Sequence, residues 1–484
     1  MAWWNPRTWG RNKAKTRAAY VAATKGGRNK GFVSTSTEIN TIIGAEAATL
    51  RARARDLARN NEHAAAAVRA YVSDVVGCGI RPHSDTGSDA LDRAVDGLWS
   101  DWVYEASTGS DLTFYGLQRL AVRELFTSGD ALVRRRPRRL ADGLPVPLQL
   151  DLLQIDYLDS SRDETLLNAR GKKRGKIVQG IEFDALGRRS GYWMYREHPG
   201  ASLVTLDSYM STRVRARDVA HLFDPVEAGQ VRGVTHLAPV IQALKDIGDG
   251  SDAERVRRKV AACLAAFVIG GDPDASADDI DGIGPQVGTD VNGDPLERMT
   301  PGMIAHLYGD KTVEFNRPPG AEGYREYKQT ELEGVAVGVG IPYAVLTGDY
   351  SAFSFSSSRG ALLQYRRSIE PFQREIVVPM LCRPIWRWFI SAAVNAGALP
   401  ARYDALERLN YPAVWTPQSF TEVDRLKDAN ADAREIGNKT TSIAAVIRRR
   451  GGDPEKVAAE IAAEAEGETE GEAGRGRLLT PLAG

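Results

Sequence analysis

Residues 346–367 read "LTGDYSAFSFSSSRGALLQYRR", and the placement of this stretch decides the fold. Gly348 and Asp349 supply ordinary turn chemistry. Ser351, Ser354, Ser356, Ser357 and Ser358 then crowd a segment that also holds Tyr350, Phe353 and Phe355. A loop that only joins two elements needs one or two turn residues. This composition describes a small, polar, mobile surface instead. It launches into a helical pattern carrying Arg359, Arg366 and Arg367, which continues to residue 400 through Pro371, Pro379 and Pro384. Proline removes a backbone donor, so the pattern predicts a long, kinked rod.

Around that rod the chain has 484 residues, a formal net charge of zero and 43% apolar residues. The balance excludes a disordered chain and a uniformly basic nucleic-acid binder. Two to four structural regions are expected at this length. Apolar runs such as "AACLAAFVIG" fall short of the roughly 20 residues that a bilayer span needs, so no membrane partner is expected. Residues 1–30 lack the apolar core of a signal peptide, so secretion is not expected. Cys78, Cys263 and Cys382 are far apart in sequence and predict reduced, buried thiols, with no CxxC pair to hold zinc.

The neutral total hides local extremes. Residues 1–30 hold Arg7, Arg11, Lys13, Lys15, Arg17, Lys25, Arg28 and Lys30 without an acid. Residues 134–139 are "RRRPRR", which reads either as a nucleic-acid contact neutralising phosphates or, without interleaved aromatics the favoured reading, as a solvated turn or a surface paired with an acidic neighbour subunit. Asp272, Asp274, Asp278, Asp279, Asp281, Asp290, Asp294 and Glu297 form an acidic segment with no base before Arg298, and "AAEIAAEAEGETEGEAG" makes an acidic tail.

The pattern predicts an α+β chain, mostly helical. Residues 45–76 read as one helix stopped by "GCGIRP", and 88–129 as further helix with Asp111 as a cap. From 131 to 223 the runs shorten and partly alternate, and "FDALGRRSGYWMY" reads as two strands around a turn. Residues 236–269 read as helix, with Pro239 in its first turn and a break at Gly248 and Gly250. "MIAHLY" and "TVEF" are strand candidates, 322–338 is helical, and 418–462 holds two or three short helices.

Catalytic motifs are missing. "YGDKT" lacks Walker spacing, "GVAVGVG" does not open a helix after a strand, and "DPDASADDIDG" has Ala277 where a calcium loop turns on glycine. No GxSxG surrounds a serine, and His63, His83, His198, His221, His236 and His306 show no metal-ligand spacing. The residues alone describe a structural or assembly protein with strongly local charge and no cofactor.

Several stretches taken together resemble the lambda-type family of tailed-phage portal proteins. They are "LRARARDLARNNEHAAAAVRAYVSDVVGCGIRP" (50–82), "LWSDWV" (98–103), "LQRLAVRELFTSGDALVRRR" (117–136), "VPLQLDLLQIDYLD" (146–159), "GIEFDALGRRSGYWMYREHPG" (180–200), "VAHLFDPVEAGQVRGVTHLAPV" (219–240), "ERVRRKVAACLAAFV" (254–268), "GVGIPYAVLTGDYSAFSFSSSRGALLQYRR" (338–367) and "LCRPIWRWF" (381–389). The resemblance implies a ring of identical subunits, commonly twelve, at one capsid vertex of the virion, made in the host cytoplasm. DNA enters through it, driven by the terminase large subunit, and later leaves the same way. Major capsid, scaffolding and head-completion proteins are further partners.

The family architecture maps onto a basic arm at 1–40, an α/β wing at 41–235, a stem helix at 236–269, a small β-containing clip at 270–320 and a second stem helix at 321–340. A tunnel loop at 341–357, a kinked tunnel helix at 358–400, a helical crown at 401–462 and a disordered tail at 463–484 complete it. On this map Tyr350, Ser351, Phe353, Ser354, Phe355, Ser356 and Ser357 face double-stranded DNA. Arg359, Arg366 and Arg367 add a positive field beside them, and the acids from Asp272 to Glu297 dock partners. Small hydroxyls touch phosphates without the tight, salt-dependent hold of a lysine ring. Two alternatives stand beside this: a metal-dependent nucleic-acid-processing enzyme using the acids from Asp272 to Glu297, and a smaller head–tail adaptor ring.

Overall fold

A computed structural model describes residues 36–262 and 323–464, apart from positions 110, 168–170, 172, 203–208, 352–354, 419, 421–424, 453, 456 and 463. It also describes residues 30–31 and the strand residues 266–269, 286–289, 295–297 and 312–315. Most of the basic arm and "MIAHLY" therefore lie outside the described residues, as do Cys263 and most of the acidic segment.

The predicted helix at 45–76 is two helices, α1 (Ile39–Asn60) and α2 (Glu62–Val75). Asn61 makes the break. Its extended backbone ends α1, and its side chain accepts the N–H groups of His63 and Ala64 at 3.0 Å, capping α2. Strand β1 (Arg81–Ser84) and helices α3 (Asp89–Trp102) and α4 (Phe114–Ser128) follow. The cap of α4 is Thr113, which accepts from Gly116 at 3.2 Å, and not the expected Asp111.

Eight strands come next, as the alternating runs predict: β2 (Asp130–Pro137), β3 (Leu148–Leu153), β4 (Glu164–Leu167), β5 (Lys173–Val178), β6 (Ile181–Asp184), β7 (Arg189–Tyr195), β8 (Ser211–Arg215) and β9 (Val219–Phe223). They form an antiparallel three-stranded sheet, β3-β2-β9, and an antiparallel five-stranded meander, β4 to β8. Leu132 and Val219 from the first sheet pack with Ile181, Tyr192, Met194 and Val214 from the second in a small core of their own. The "RRRPRR" run is not a turn. Arg134, Arg135 and Arg136 lie in the central strand β2, and Arg136 pairs with Asp151 of β3 at 2.6 Å.

Helix α5 (Ile241–Ala262) runs unbroken through Gly248 and Gly250, and residues 266–269, expected as helix, are strand β10 (Ala266–Ile269). A run of i,i+3 and i,i+4 ion pairs supports α5: Lys245–Asp249, Arg255–Asp252, Arg257–Glu254 and Arg258–Glu254. These local contacts offset the two glycines. Strands β11 (Gln286–Thr289) and β12 (Pro295–Glu297) pair with each other, and β10 pairs with β13 (Thr312–Phe315). Helix α6 (Tyr324–Val339) then returns along α5. Tyr324 donates to the Ser251 hydroxyl at 3.1 Å, while Gly338 sits so close to Val240 that a Cβ there would approach it to 2.5 Å. The two helices are therefore antiparallel.

After helix α7 (Tyr343–Thr347) comes the long rod: α8 (Phe355–Pro371), a π-helical stretch (Phe372–Cys382) and α9 (Arg383–Asn395). Pro371 immediately precedes the π-helical stretch, Pro379 lies inside it, and Pro384 opens α9. A wider turn relieves the clash between a proline ring and the preceding carbonyl, which has lost its N–H donor. Among the described residues the rod is the helix long and apolar enough to cross a bilayer, which the short apolar runs did not predict. Here Val377, Leu381, Cys382, Ile385, Trp386 and Phe389 are buried in the main core instead. Around it Trp99, Trp102, Trp386 and Phe389 stack with centroids 4.9–5.7 Å apart. Strand β14 (Ala413–Thr416) pairs with β1, joining the C-terminal part to the start of the fold, and helices α10 (Arg425–Gly437) and α11 (Ile443–Arg449) follow. Cys382 is buried as expected, but Cys78 is exposed, because it falls in the turn beyond α2.

Candidate functional site

The stretch at 341–357 is shorter as a loop than its serines suggest. Pro342 sits before α7, whose Ala344 and Leu346 are buried, so the first third of the expected loop is anchored helix. Gly348 then takes a left-handed φ of 74°, and Asp349 accepts from the backbone N–H and hydroxyl of Ser351 at 2.9 and 2.6 Å. Tyr350 is 58% exposed between them. Phe353 and Ser354 lie outside the described residues. Phe355, Ser356 and Ser357 already belong to the backbone of α8, as does Arg359. Serine suits a helix start, where unpaired N–H groups need acceptors.

The rod below is fixed to α2 by polar contacts that its sequence does not advertise. Tyr365 donates to Asp74 at 2.9 Å, and the Gln373 amide donates to the Val75 carbonyl at 2.7 Å. Burial first, then the Asp74 charge, pushes the Tyr365 phenol well above its ordinary range, so the donor stays protonated. Farther along, the Trp388 indole donates to the Arg217 carbonyl at 2.9 Å, joining rod to sheets. The expected basic group divides. Arg367 is exposed, whereas Arg366 is half-buried over the Phe420 ring at 4.8 Å. Of the acidic group, Glu297 ends strand β12 opposite Gln286, and Asp272, Asp274, Asp278, Asp279, Asp281, Asp290 and Asp294 lie outside the described residues.

One constellation escaped the sequence. Asp130, wholly buried at the start of β2, accepts from His221 Nε2 at 2.9 Å, from Arg232 at 3.2 Å and from the Gly233 N–H at 2.7 Å. Arg189 donates to His221 Nδ1 at 2.9 Å and to the Val231 carbonyl at 2.9 Å. Register brings these groups together: His221 faces Leu132, so Asp130 is its diagonal neighbour on the same face. Gly129 and Gly233 allow the close approach, since a Cβ on Gly233 would stand 1.9 Å from the Gly129 carbonyl. Burial pushes the Asp130 carboxyl up, but Arg232, His221 and the Gly233 N–H outweigh it and leave it below its usual value. Burial drives His221 down to about 4, so a neutral imidazole donates from Nε2. A buried Asp–His pair resembles a catalytic dyad, yet its side chains are at most 1% exposed, so solvent and substrate have no approach. It is a polar clamp between β2, β9 and the 230–233 segment. Among the described residues no group of three His, Cys, Asp or Glu side chains could hold a metal ion.

The sequence matches the family described as phage portal protein, lambda family, over residues 25–373. The chain belongs to that family, whose members are structural components of the virion capsid. It is 23% identical over 448 residues to the probable portal protein of Halomonas phage phiHAP-1, covering 89% of this chain and 82% of that one. It is 21% identical over 470 residues to the portal protein of Escherichia phage N15, covering 90% and 87%. Portal protein B of Escherichia phage lambda is 23% identical over 353 residues, covering 64% of this chain and 62% of that one. Among solved structures, the neck of a native gene transfer agent particle aligns with a TM-score of 0.44 at 15% identity, covering 83% of this chain and 94% of that one. The portal protein of an HK97-family phage from Corynebacterium diphtheriae aligns at 0.32 and 12% identity, covering 65% and 85%.

Proposed function

We propose that this portal protein assembles into a closed ring, commonly of twelve copies, and serves as the conduit through which double-stranded DNA enters and leaves a capsid. The antiparallel α5–α6 pair carries the proposal. It is rooted in the body through Val240, Leu244, Val335 and Val339, and it holds strands β10 to β13 at its far end. Its outer charges neutralise one another locally, which suits a stem whose polar faces meet identical neighbours. In this reading the two sheets with α1 to α4 form the wing, residues 263–323 form the clip that takes terminase and later head-completion proteins, and α10 and α11 form the crown. Residues 348–354 and the first turn of α8 then line the tunnel, held at fixed height by the Tyr365–Asp74 bond. Head-to-tail contacts between identical copies close into rings when the rotation permits.

Mass photometry with negative-stain images of the full chain tests this, alone and with capsid and scaffolding proteins. The expected result is a ring of about a dozen copies with an axial hole. Monomers that persist even with scaffold would overturn it.

A further inference from the structure

We propose that a basic groove between the long rod and α11 is the docking site of this chain's own acidic segment, residues 464–472. The groove encloses about 940 Å³ and is lined by Arg366, Arg367 and Arg374 on one wall and Arg448, Arg449 and Arg450 on the other, against the single acid Glu370. Trp415 and Phe420 lie along it. Arg449 and Arg450 both bind Asp432, and Arg366 covers Phe420. Arg367, Arg374 and Arg448 are exposed and have no carboxylate partner among the described residues. Three unneutralised guanidiniums converging on one concavity call for an anion of matching length and spacing.

The chain carries such an anion. Residues 464–472 read "EAEGETEGE", with Glu464, Glu466, Glu468, Glu470 and Glu472 at strict intervals of two. In an extended backbone alternate side chains share a face, so beyond Glu464, where the described helix ends, the four carboxylates of Glu466, Glu468, Glu470 and Glu472 align at ~6.6 Å steps. Arg367 and Arg374 stand ~10 Å apart along their helix, within the swing of an arginine side chain from every second carboxylate at ~13 Å. The residues between the glutamates are Ala, Gly, Thr and Gly, small enough to lie against Trp415 and Phe420. A rigid DNA duplex cannot narrow itself to enter a concavity of about 940 Å³, whereas a single extended peptide can. Reach is no obstacle. The groove's own Arg450 is separated from Glu464 by a helical stretch whose described residues are 454–455, 457–462 and 464, with a rise of ~15 Å, while residues 464–472 span ~26 Å extended.

The docking does not depend on ring formation or on DNA passage, so its test stands apart from both. Carbodiimide couples lysine but not arginine to carboxylates. In the full chain, Arg448→Lys and, separately, Arg374→Lys keep the charge and introduce the reactive amine on either wall. Tryptic mass spectrometry at 50 mM salt is expected to find cross-links from both positions to residues 464–472. Their yield should fall at least fivefold at 500 mM salt, and they should vanish when Glu464, Glu466, Glu468, Glu470 and Glu472 are changed to glutamine. Coupling confined to Glu370, Asp432 or Glu435, or no coupling, would overturn the proposal. Absence of tail cross-links together with suppression of the body cross-links by a short DNA duplex would assign the groove to nucleic acid and overturn it equally.

Discussion

Changing Asp130 to asparagine keeps the shape of the side chain and removes its charge. The amide oxygen can accept from only part of the set that now converges on the carboxylate: His221, Arg232 and the Gly233 N–H. The new NH2 group must then face a donor. Arg232, whose side chain is 4% exposed, is left with a buried charge and no counter-ion at this contact. Breaking a buried pair from one side costs about 3–5 kcal/mol. At an m-value of about 3 kcal/mol/M or more, as a chain of this size implies, that lowers the urea midpoint by at most about 1–1.7 M. Asp151→Asn is the internal control, because it removes the Arg136 pair at 2.6 Å with both side chains about a quarter to a third exposed. That loss is expected to stay below about 1 kcal/mol. Both variants are followed by tryptophan fluorescence and circular dichroism across urea at pH 7. Equal midpoints for the two would refute the view that Asp130 is the electrostatic keystone of the two-sheet region.

The same clamp should make stability depend on pH. His221 titrates at about 4 in the folded chain against an ordinary value of 6.5, so the unfolded chain binds the extra proton between these limits. Stability is therefore complete above about pH 6.5 and is lost as pH falls towards 4, by about 3 kcal/mol from this group. His236, also lowered to about 4 by burial, acts in the same direction, and its 19% side-chain exposure makes its share smaller. A urea midpoint unchanged between pH 7 and 4.5 would contradict this. For the thiols, iodoacetamide should alkylate Cys78 in the native chain and leave Cys382 unmodified until urea unfolds it. Cys382 is buried, and its thiol is pushed up by that burial despite a contact from Gln118. Peptide mass spectrometry reads both sites, and native modification of Cys382 would show that the rod leaves the core.

Much of the architecture was legible in local pattern. Alternating runs between 131 and 223 became the two sheets, "TVEF" became β13, and the proline-spaced apolar pattern after residue 358 became the rod, because hydrophobic period and turn chemistry act over a few residues. The family, too, was readable from ordered stretches of sequence, and the match over residues 25–373 agrees with it. Local pattern misjudged places where a distant partner decides. Asn61 breaks a helix that composition would continue, and its amide also reaches the Leu244 carbonyl of α5 at 3.3 Å. "RRRPRR" looked like solvated charge, but strand pairing set Arg136 beside Asp151.

The Asp130–His221–Arg232 clamp and the groove of arginines from 366–374 and 448–450 had no sequence signature. Their members lie 91 and 102 positions from Asp130 in the first case, and on separate helices in the second. By itself the sequence determined the helices, strands and breaks that neighbouring residues enforce, and the family to which the chain belongs. Only the tertiary structure decided which charges are buried together and which are left open, because burial and pairing depend on register and packing between segments that no local period connects.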